Sequence, residues 1–303
     1  MPYRSLSQPS CCFPFAQPSI YSASYPLCGV GPSEYPSDMS RVIAIANQKG
    51  GVGKTTTAIN LGSSLAVAEQ RTLIVDIDPQ ANASSGLGIR PGEDLPTIYD
   101  VLVEGHPVEE ATLRELQFPC LDLIPSTRDL VGAEIEMIET PEREHILRRA
   151  LEPVRDRYDF ILVDCPPSLG LLTLNTLAAA DSVLIPIQCE FYALEGLSQL
   201  LSTVRLVQKG LNPNLEIEGV LLTMYDRRLN LSRQVAEEAR EYFGDRVYRS
   251  TIPRNVALAE APSFGQPIIQ YDVLSTGAQS YLALAQEVMA QGTGAPAAGG
   301  GRP

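Results

Sequence analysis

Residues 47–57 read NQKGGVGKTTT, which puts two lysines, three glycines and three threonines into eleven positions. A phosphate-binding loop usually follows G-x-x-x-x-G-K-[ST]. Aligned on Gly53, Lys54 and Thr55, the first glycine falls at position 48, which is Gln48. An extra lysine, Lys49, and the pair Gly50–Gly51 follow it. A glycine-rich turn lets successive backbone N–H groups point into one concavity and approach an anion closely. A helix opening near Lys54 would turn its positive dipole end toward the same anion. In that setting Lys54 reaches the β- and γ-phosphates of a nucleotide, and the Thr55 hydroxyl is placed to ligate Mg²⁺.

Carboxylates close two other apolar runs. VDIDPQAN carries Asp76 and Asp78, and ILVDCPPS carries Asp164. A carboxylate at a strand tip is where phosphate-loop proteins hold Mg²⁺. Any one such aspartate could equally be a turn or cap residue. Lys49 has no obvious share in a γ-phosphate already served by Lys54, and two adjacent cations repel. One geometric solution is that Lys49 serves a second nucleotide in a facing subunit, adding positive charge where negative charge develops. The alternative is an exposed, solvated lysine.

These residues need a scaffold that holds strand ends together. RVIAIAN, RTLIVDID, LDLIP, YDFILVD, DSVLIPI, IEGVLLTMY and RVYRSTIP read as strands. Helical stretches are expected from Lys54 to about Ala68, through 129–155, from about Tyr192 to Lys209, and near 229–243 and 276–290. The alternation predicts an α/β fold, a mostly parallel sheet with helices on both faces. Such sheets bind ligands at the carboxyl ends of their strands, where the motifs fall.

Residues 1–38 hold seven prolines and eight serines with no period. They are expected to be disordered. The folded pattern starts at Met39, as an upstream mis-assigned start codon would produce; a functional tail is the other explanation. The folded domain is expected over 39–290, followed by a disordered Gly/Ala/Pro tail over 291–303.

The chain has a formal net charge of −13, so DNA or RNA contact would need a local basic patch. None of its six cysteines forms a C-x-x-C pair, which argues against zinc and redox motifs. Cys120, Cys165 and Cys189 lie in or beside apolar runs and read as reduced, buried thiols. No apolar run approaches the roughly 20 residues of a membrane span, and prolines interrupt any signal-peptide core.

The runs KGGVGKTTTAINL, LIVDIDPQANASSGLG, DFILVDCPPSLGLLTLNTLAAADSVLIPIQCEFYALEGL and IPRNVALAEAPSFGQPI resemble the ParA/Soj chromosome-partitioning ATPases. These belong to the deviant-Walker-A group of P-loop NTPases, together with MinD and the nitrogenase iron protein. The likeness covers about residues 41–290. It implies that Lys49 is the signature lysine, crossing an ATP-sandwich dimer to the partner's nucleotide, and that Gln48 in place of glycine is normal for the group. It further implies that Gly50, Gly51, Val52, Gly53, Lys54, Thr55 and Thr56 cradle the phosphates of ATP, with Thr55 on Mg²⁺. Asp78 would help position the attacking water and the metal, and Asp164 would hold the Mg²⁺ shell. Pro253 and Asn255 would contact adenine. No strong general base is visible, and phosphoryl transfer can proceed on positioning and charge. Slow, switch-like hydrolysis is therefore expected.

The same likeness implies an ATP-dependent homodimer that grips DNA without sequence preference in the cytoplasm, on the nucleoid, stimulated by a ParB-type partner. Residues 226–257 hold seven arginines against five acids. Arg227, Arg228 and Arg254 are the candidate DNA contacts; an ordinary solvated helix face is the alternative. The family often has a basic residue where this chain has Ala257, which shifts the expectation onto Arg228 and Arg254. A MinD-like positioning ATPase would end in an amphipathic basic helix, which the Gly/Ala/Pro end does not offer. A small-molecule ATP-dependent ligase on the same fold is the other alternative. Deleting residues 1–38 is expected to leave the melting temperature and ATP hydrolysis nearly unchanged. A large loss of either in thermal denaturation or phosphate-release assays would show that the segment packs on the domain.

Overall fold

The computed structural model describes residues 40–90, 92, 95–190 and 193–292. The segment 1–38 and residues 293–303 of the tail lie outside the described residues. The chain opens with β1 (Arg41–Ile45), α1 (Lys54–Val67), β2 (Thr72–Asp76) and a short α2 (Asn82–Gly86). Then come α3 (Val108–Ala111), β3 (Leu121–Ile124), α4 (Leu130–Glu136) and α5 (Ile146–Leu151). The units β4 (Phe160–Asp164), α6 (Leu171–Ala179), β5 (Ser182–Gln188), α7 (Ala193–Gly210), β6 (Glu216–Tyr225), α8 (Asn230–Phe243) and β7 (Val247–Pro253) follow. Two short helices, α9 (Val256–Glu260) and α10 (Ile268–Tyr271), lead into α11 (Thr276–Gly292).

The seven strands form one parallel sheet in the order β3-β2-β4-β1-β5-β6-β7. Both faces are covered, so the strands read as continuous branched apolar runs. Alternate residues still part to opposite sides. Val42, Ala44, Ile161 and Val163 pack into the core under α4–α8. Ile43, Ile45, Leu162 and Leu184 pack against α1 and α11. Burying each of these Val, Ile and Leu side chains contributes roughly 1.5–3 kcal/mol, so the sheet centre is firmly fixed. The register matters most at its end. Asp164 stands opposite Ile45 on one side and Asp76 on the other, so β1, β4 and β2 finish level.

The seven expected strands are all present. The expected helical pattern through 129–155 is interrupted. Thr140 is extended because the residue before a proline is pushed out of the helical region, and Glu142 is left-handed. The single stretch thus becomes α4 and α5 joined by 3-10 turns. Cys165 and Cys189 are buried, and burial pushes each thiol up to about 12, whereas Cys120, expected to be buried, is only half-buried. No helix among the described residues is long and apolar enough to cross a membrane.

One backbone approach fixes how the segment before α10 meets the segment after α2. A methyl group on Gly265, whose φ is +66°, would lie 2.6 Å from the Gly88 Cα. Backbone cannot give way as a flexible side chain does. Gly265→Ala is expected to cost about 2–3 kcal/mol through overpacking and left-handed strain, measured by denaturant unfolding. An unchanged midpoint would show that this contact is not needed.

Candidate functional site

The loop after β1 is tied down before it reaches α1. Asn47, buried at the loop entry, donates Nδ2 to the Pro186 carbonyl at 2.7 Å and accepts from the Lys49 N–H at 3.0 Å. The chain then passes Gly51 and Gly53 at φ +73° and +90°, a region that glycine enters without cost. Gly53 caps α1, and among the described residues no side chain caps its first N–H groups. Those donors therefore remain available to an anion at the helix start.

The two lysines of this loop have different partners. Lys54 is buried, and its Nζ donates to the Lys49 carbonyl at 3.3 Å. Burial lowers its pKa, while the carboxylates of Asp164 and Asp78 act in the opposite direction. The Lys49 ammonium lies 3.9 Å from Glu190 Oε2, just past the end of β5. The same Glu190 pairs with Arg254 at 3.0 Å.

Asp164 is fully buried, and among the described residues neither of its carboxylate oxygens has a hydrogen-bond partner. Burial, then the neighbouring Asp76, raises its pKa; Thr55 and Lys54 act in the opposite direction. An unpartnered buried carboxylate beside a hydroxyl and an ammonium fits a hard divalent cation with bound phosphate. Among the described residues no group of three or more His, Cys, Asp or Glu side chains forms a cage for a metal. Mg²⁺ keeps waters and phosphate oxygens and is held by one or two carboxylates.

Asp76 and Asp78 divide their roles. Asp76 accepts from the Ser84 N–H and hydroxyl at 2.8 and 2.7 Å and from the Asp78 N–H at 3.2 Å. Burial pushes its carboxyl up to about 6 against those bonds. Ser126 closes the cradle by donating its N–H to Ser84 Oγ at 3.0 Å and its hydroxyl to the Asp78 carbonyl at 2.8 Å. Asp76 thus anchors the loop that presents Asp78, whose own Oδ1 accepts from the Gln80 N–H at 2.9 Å.

A cleft of about 410 Å³ opens beside Gly53 and Thr56 and is walled by Met224, Ile252, Pro253 and Asn255. Its size suits a flat organic group. Asn255 lines it, but both ends of its amide are engaged. Oδ1 caps α9 by accepting from the Leu258 N–H at 3.2 Å, and Nδ2 donates to Thr276 Oγ1 at 2.9 Å. The structure brings Lys49–Thr56, Asp78 and Asp164 to one sheet end, with Pro253 and Asn255 on the cleft wall. Ser84, Ser126, Glu190 and Asn47 carry no sequence signal as site residues: Ser126, Glu190 and Asn47 meet partners far away in sequence, and Ser84 meets Asp76 only through the turn into α2.

Of the candidate DNA-contacting arginines, Arg227 and Arg228 make no contact with this site among the described residues, whereas Arg254 lines the cleft. Arg228 grips Asp226 through two N–H groups, Nη2 at 2.7 Å and Nε at 3.0 Å, and holds that carboxyl down to about 2. Arg227 is exposed and makes no ion pair among the described residues. Arg254, also exposed, is the one that shares Glu190 with Lys49.

A model of the AAA domain matches residues 40–217. The chain is 58% identical over 255 residues to the chromosome partitioning protein ParA of Myxococcus xanthus, covering 84% of this chain and 90% of that protein. It is 60% identical over 254 residues to the sporulation initiation inhibitor protein Soj of Bacillus subtilis, covering 84% and 100%. Among solved structures, cobyrinic acid a,c-diamide synthase from Mycobacterium smegmatis with bound ADP and magnesium is 36% identical, with a TM-score of 0.73 over 84% of this chain and 96% of that one. The Pyrococcus furiosus cell division ATPase MinD is 28% identical, with a TM-score of 0.69 over 84% and 100%. The chain belongs to the ParA/Soj family of chromosome-partitioning ATPases.

Proposed function

We propose that this chain is an ATP-driven DNA-partitioning switch. It would dimerise around ATP and Mg²⁺, bind DNA without sequence preference as the dimer, and let go after hydrolysis. The observation that carries the reading is the division between the two lysines. Lys54 is held inside its own loop on the Lys49 carbonyl, whereas the Lys49 ammonium faces Glu190. A cation paired with a carboxylate about 45% exposed is free to exchange that partner for a stronger anion. The nucleotide of a second copy would supply one.

In this reading the N–H groups of Gly50 to Thr56 hold the phosphates and Lys54 compensates charge on the β- and γ-phosphates. Thr55, Asp164 and Asp78 would hold the metal, and Mg²⁺ when bound neutralises charge that builds up during phosphoryl transfer. Asp78, fixed from behind by Asp76 and Ser126, is placed to orient water. Pro253 and Asn255 would flank adenine in the cleft, with Asn255 shaping its wall as the cap of α9. Arg227, Arg228 and Arg254 would meet DNA phosphates. A ParB-type protein would stimulate hydrolysis, and the switch would operate in the cytoplasm on the nucleoid. The likeness to cobyrinic acid a,c-diamide synthase favours a second reading, an ATP-dependent enzyme acting on a small molecule. The higher identity to ParA and Soj proteins weighs against it.

Substituting the lysines separates their roles. Lys54→Ala is expected to abolish ATP binding, because phosphate charge is then uncompensated. Lys49→Ala is expected to bind ATP but neither dimerise nor hydrolyse it; light scattering with ATP distinguishes the two. Normal dimers of Lys49→Ala would remove the role in trans.

Asp78→Ala is expected to keep ATP binding, lose hydrolysis, and leave a long-lived dimer that retains DNA. Adding Arg228→Ala should weaken that retention without changing dimer mass, and should reduce the salt slope by about one ion per lost phosphate contact. An Asp78→Ala dimer that ignores DNA at low salt would favour the small-molecule reading.

A further inference from the structure

We infer that Thr223, at the end of β6, is a positioning residue for the phosphate loop. The inference rests on the ATP-site reading above. Thr223 lies far from the loop in sequence and belongs to none of the motifs around it. Its hydroxyl donates to the Val52 carbonyl at 2.8 Å, and both residues are almost wholly buried. Its methyl lies 3.7 Å from where a side chain on Gly53 would begin. Thr223 is itself fixed by the sheet, opposite Gln188 of β5, and its carbonyl accepts from the Cys189 N–H at 3.2 Å.

The physical effect follows from the peptide unit. The Val52 carbonyl and the Gly53 N–H share one planar trans peptide, so they point in opposite directions. Holding the carbonyl toward β6 fixes the N–H on the other edge of that plane. The loop needs this restraint, because the plane turns about Val52 ψ and Gly53 φ, and Gly53, at φ +90°, crosses between φ regions cheaply. A phosphate cradle requires its N–H groups to converge. Without the threonine hydroxyl, the Val52–Gly53 plane is free to rotate and ATP must select the competent orientation. The next residue, Met224, has φ +50° and lines the cleft, and the β6–β7 register shifts between Leu222 and Tyr225. One short segment thus carries both the loop anchor and a wall of the base cleft.

The test is equilibrium binding of ATP with Mg²⁺, together with thermal melting, for the full chain and its variants. Thr223→Val keeps the shape and removes the hydroxyl. It should bind ATP about tenfold more weakly. Thr223→Ser keeps the hydroxyl and should stay within about twofold of the parent, whereas Thr223→Ala should fall about tenfold below Thr223→Ser. The Ser and Ala pair decides the matter if Thr223→Val does not fold. Leu151→Ala, a core change at the end of α5, should lower the melting temperature without weakening ATP binding, which separates positioning from general stability. Parent-like binding by Thr223→Val, or equal loss in the Ser and Ala variants, overturns the inference. A parent chain that binds no ATP overturns the site reading itself.

Discussion

The structure turns on a buried charge arrangement that the protein leaves incomplete. Asp164 has two carboxylate oxygens in the interior without hydrogen-bond partners among the described residues, with Asp76 beside it and the buried Lys54 opposing its charge. Unpaired charge in a low-dielectric interior is costly. Such a site persists when the surrounding fold is stable enough to hold it and when a ligand completes it. The N–H groups at the uncapped start of α1 and the ammonium of Lys54 invite an anion. The carboxylate of Asp164 invites a cation. A phosphate chain with a divalent metal supplies both in one ligand.

The sheet makes this possible because three strands end level. β1 delivers the glycine loop, β4 delivers Asp164 and β2 delivers Asp76 and the loop that carries Asp78. Helices cover both faces, so a ligand meets this layer at the carboxyl ends of its strands. Polar tethers then fix the loops from behind. Asn47 ties the glycine loop to β5, and Ser84 with Ser126 ties the Asp78 loop to β2 and β3. Glu190 occupies the junction between this buried site and the surface, pairing with both Lys49 and Arg254.

Much of this was legible in the sequence for identifiable reasons. The strands were readable because a sheet covered on both faces demands unbroken runs such as FILVD and VLIPI. The phosphate loop was readable because its chemistry is local, eleven residues between a strand and a helix. The break at Thr140–Pro141 carried its own signal, which the helical period around it masked. The short helices α2, α9 and α10 span too few turns to show a period. The tethering residues carried no local signal, since Ser126 and Thr223 meet their partners only after distant strands are set side by side. The direction of Lys49 was likewise unreadable, because Glu190 lies 141 positions further along the chain than Lys49.

The central claim is that Asp164 and Lys54 form one incomplete site finished by nucleotide and metal together. Calorimetric titration of ATP into the intact chain, once with Mg²⁺ and once with a chelator, tests it most directly. The account predicts binding at least about tenfold tighter with Mg²⁺, and no such difference in Asp164→Asn. Equal affinity with and without the metal in the parent chain would contradict it.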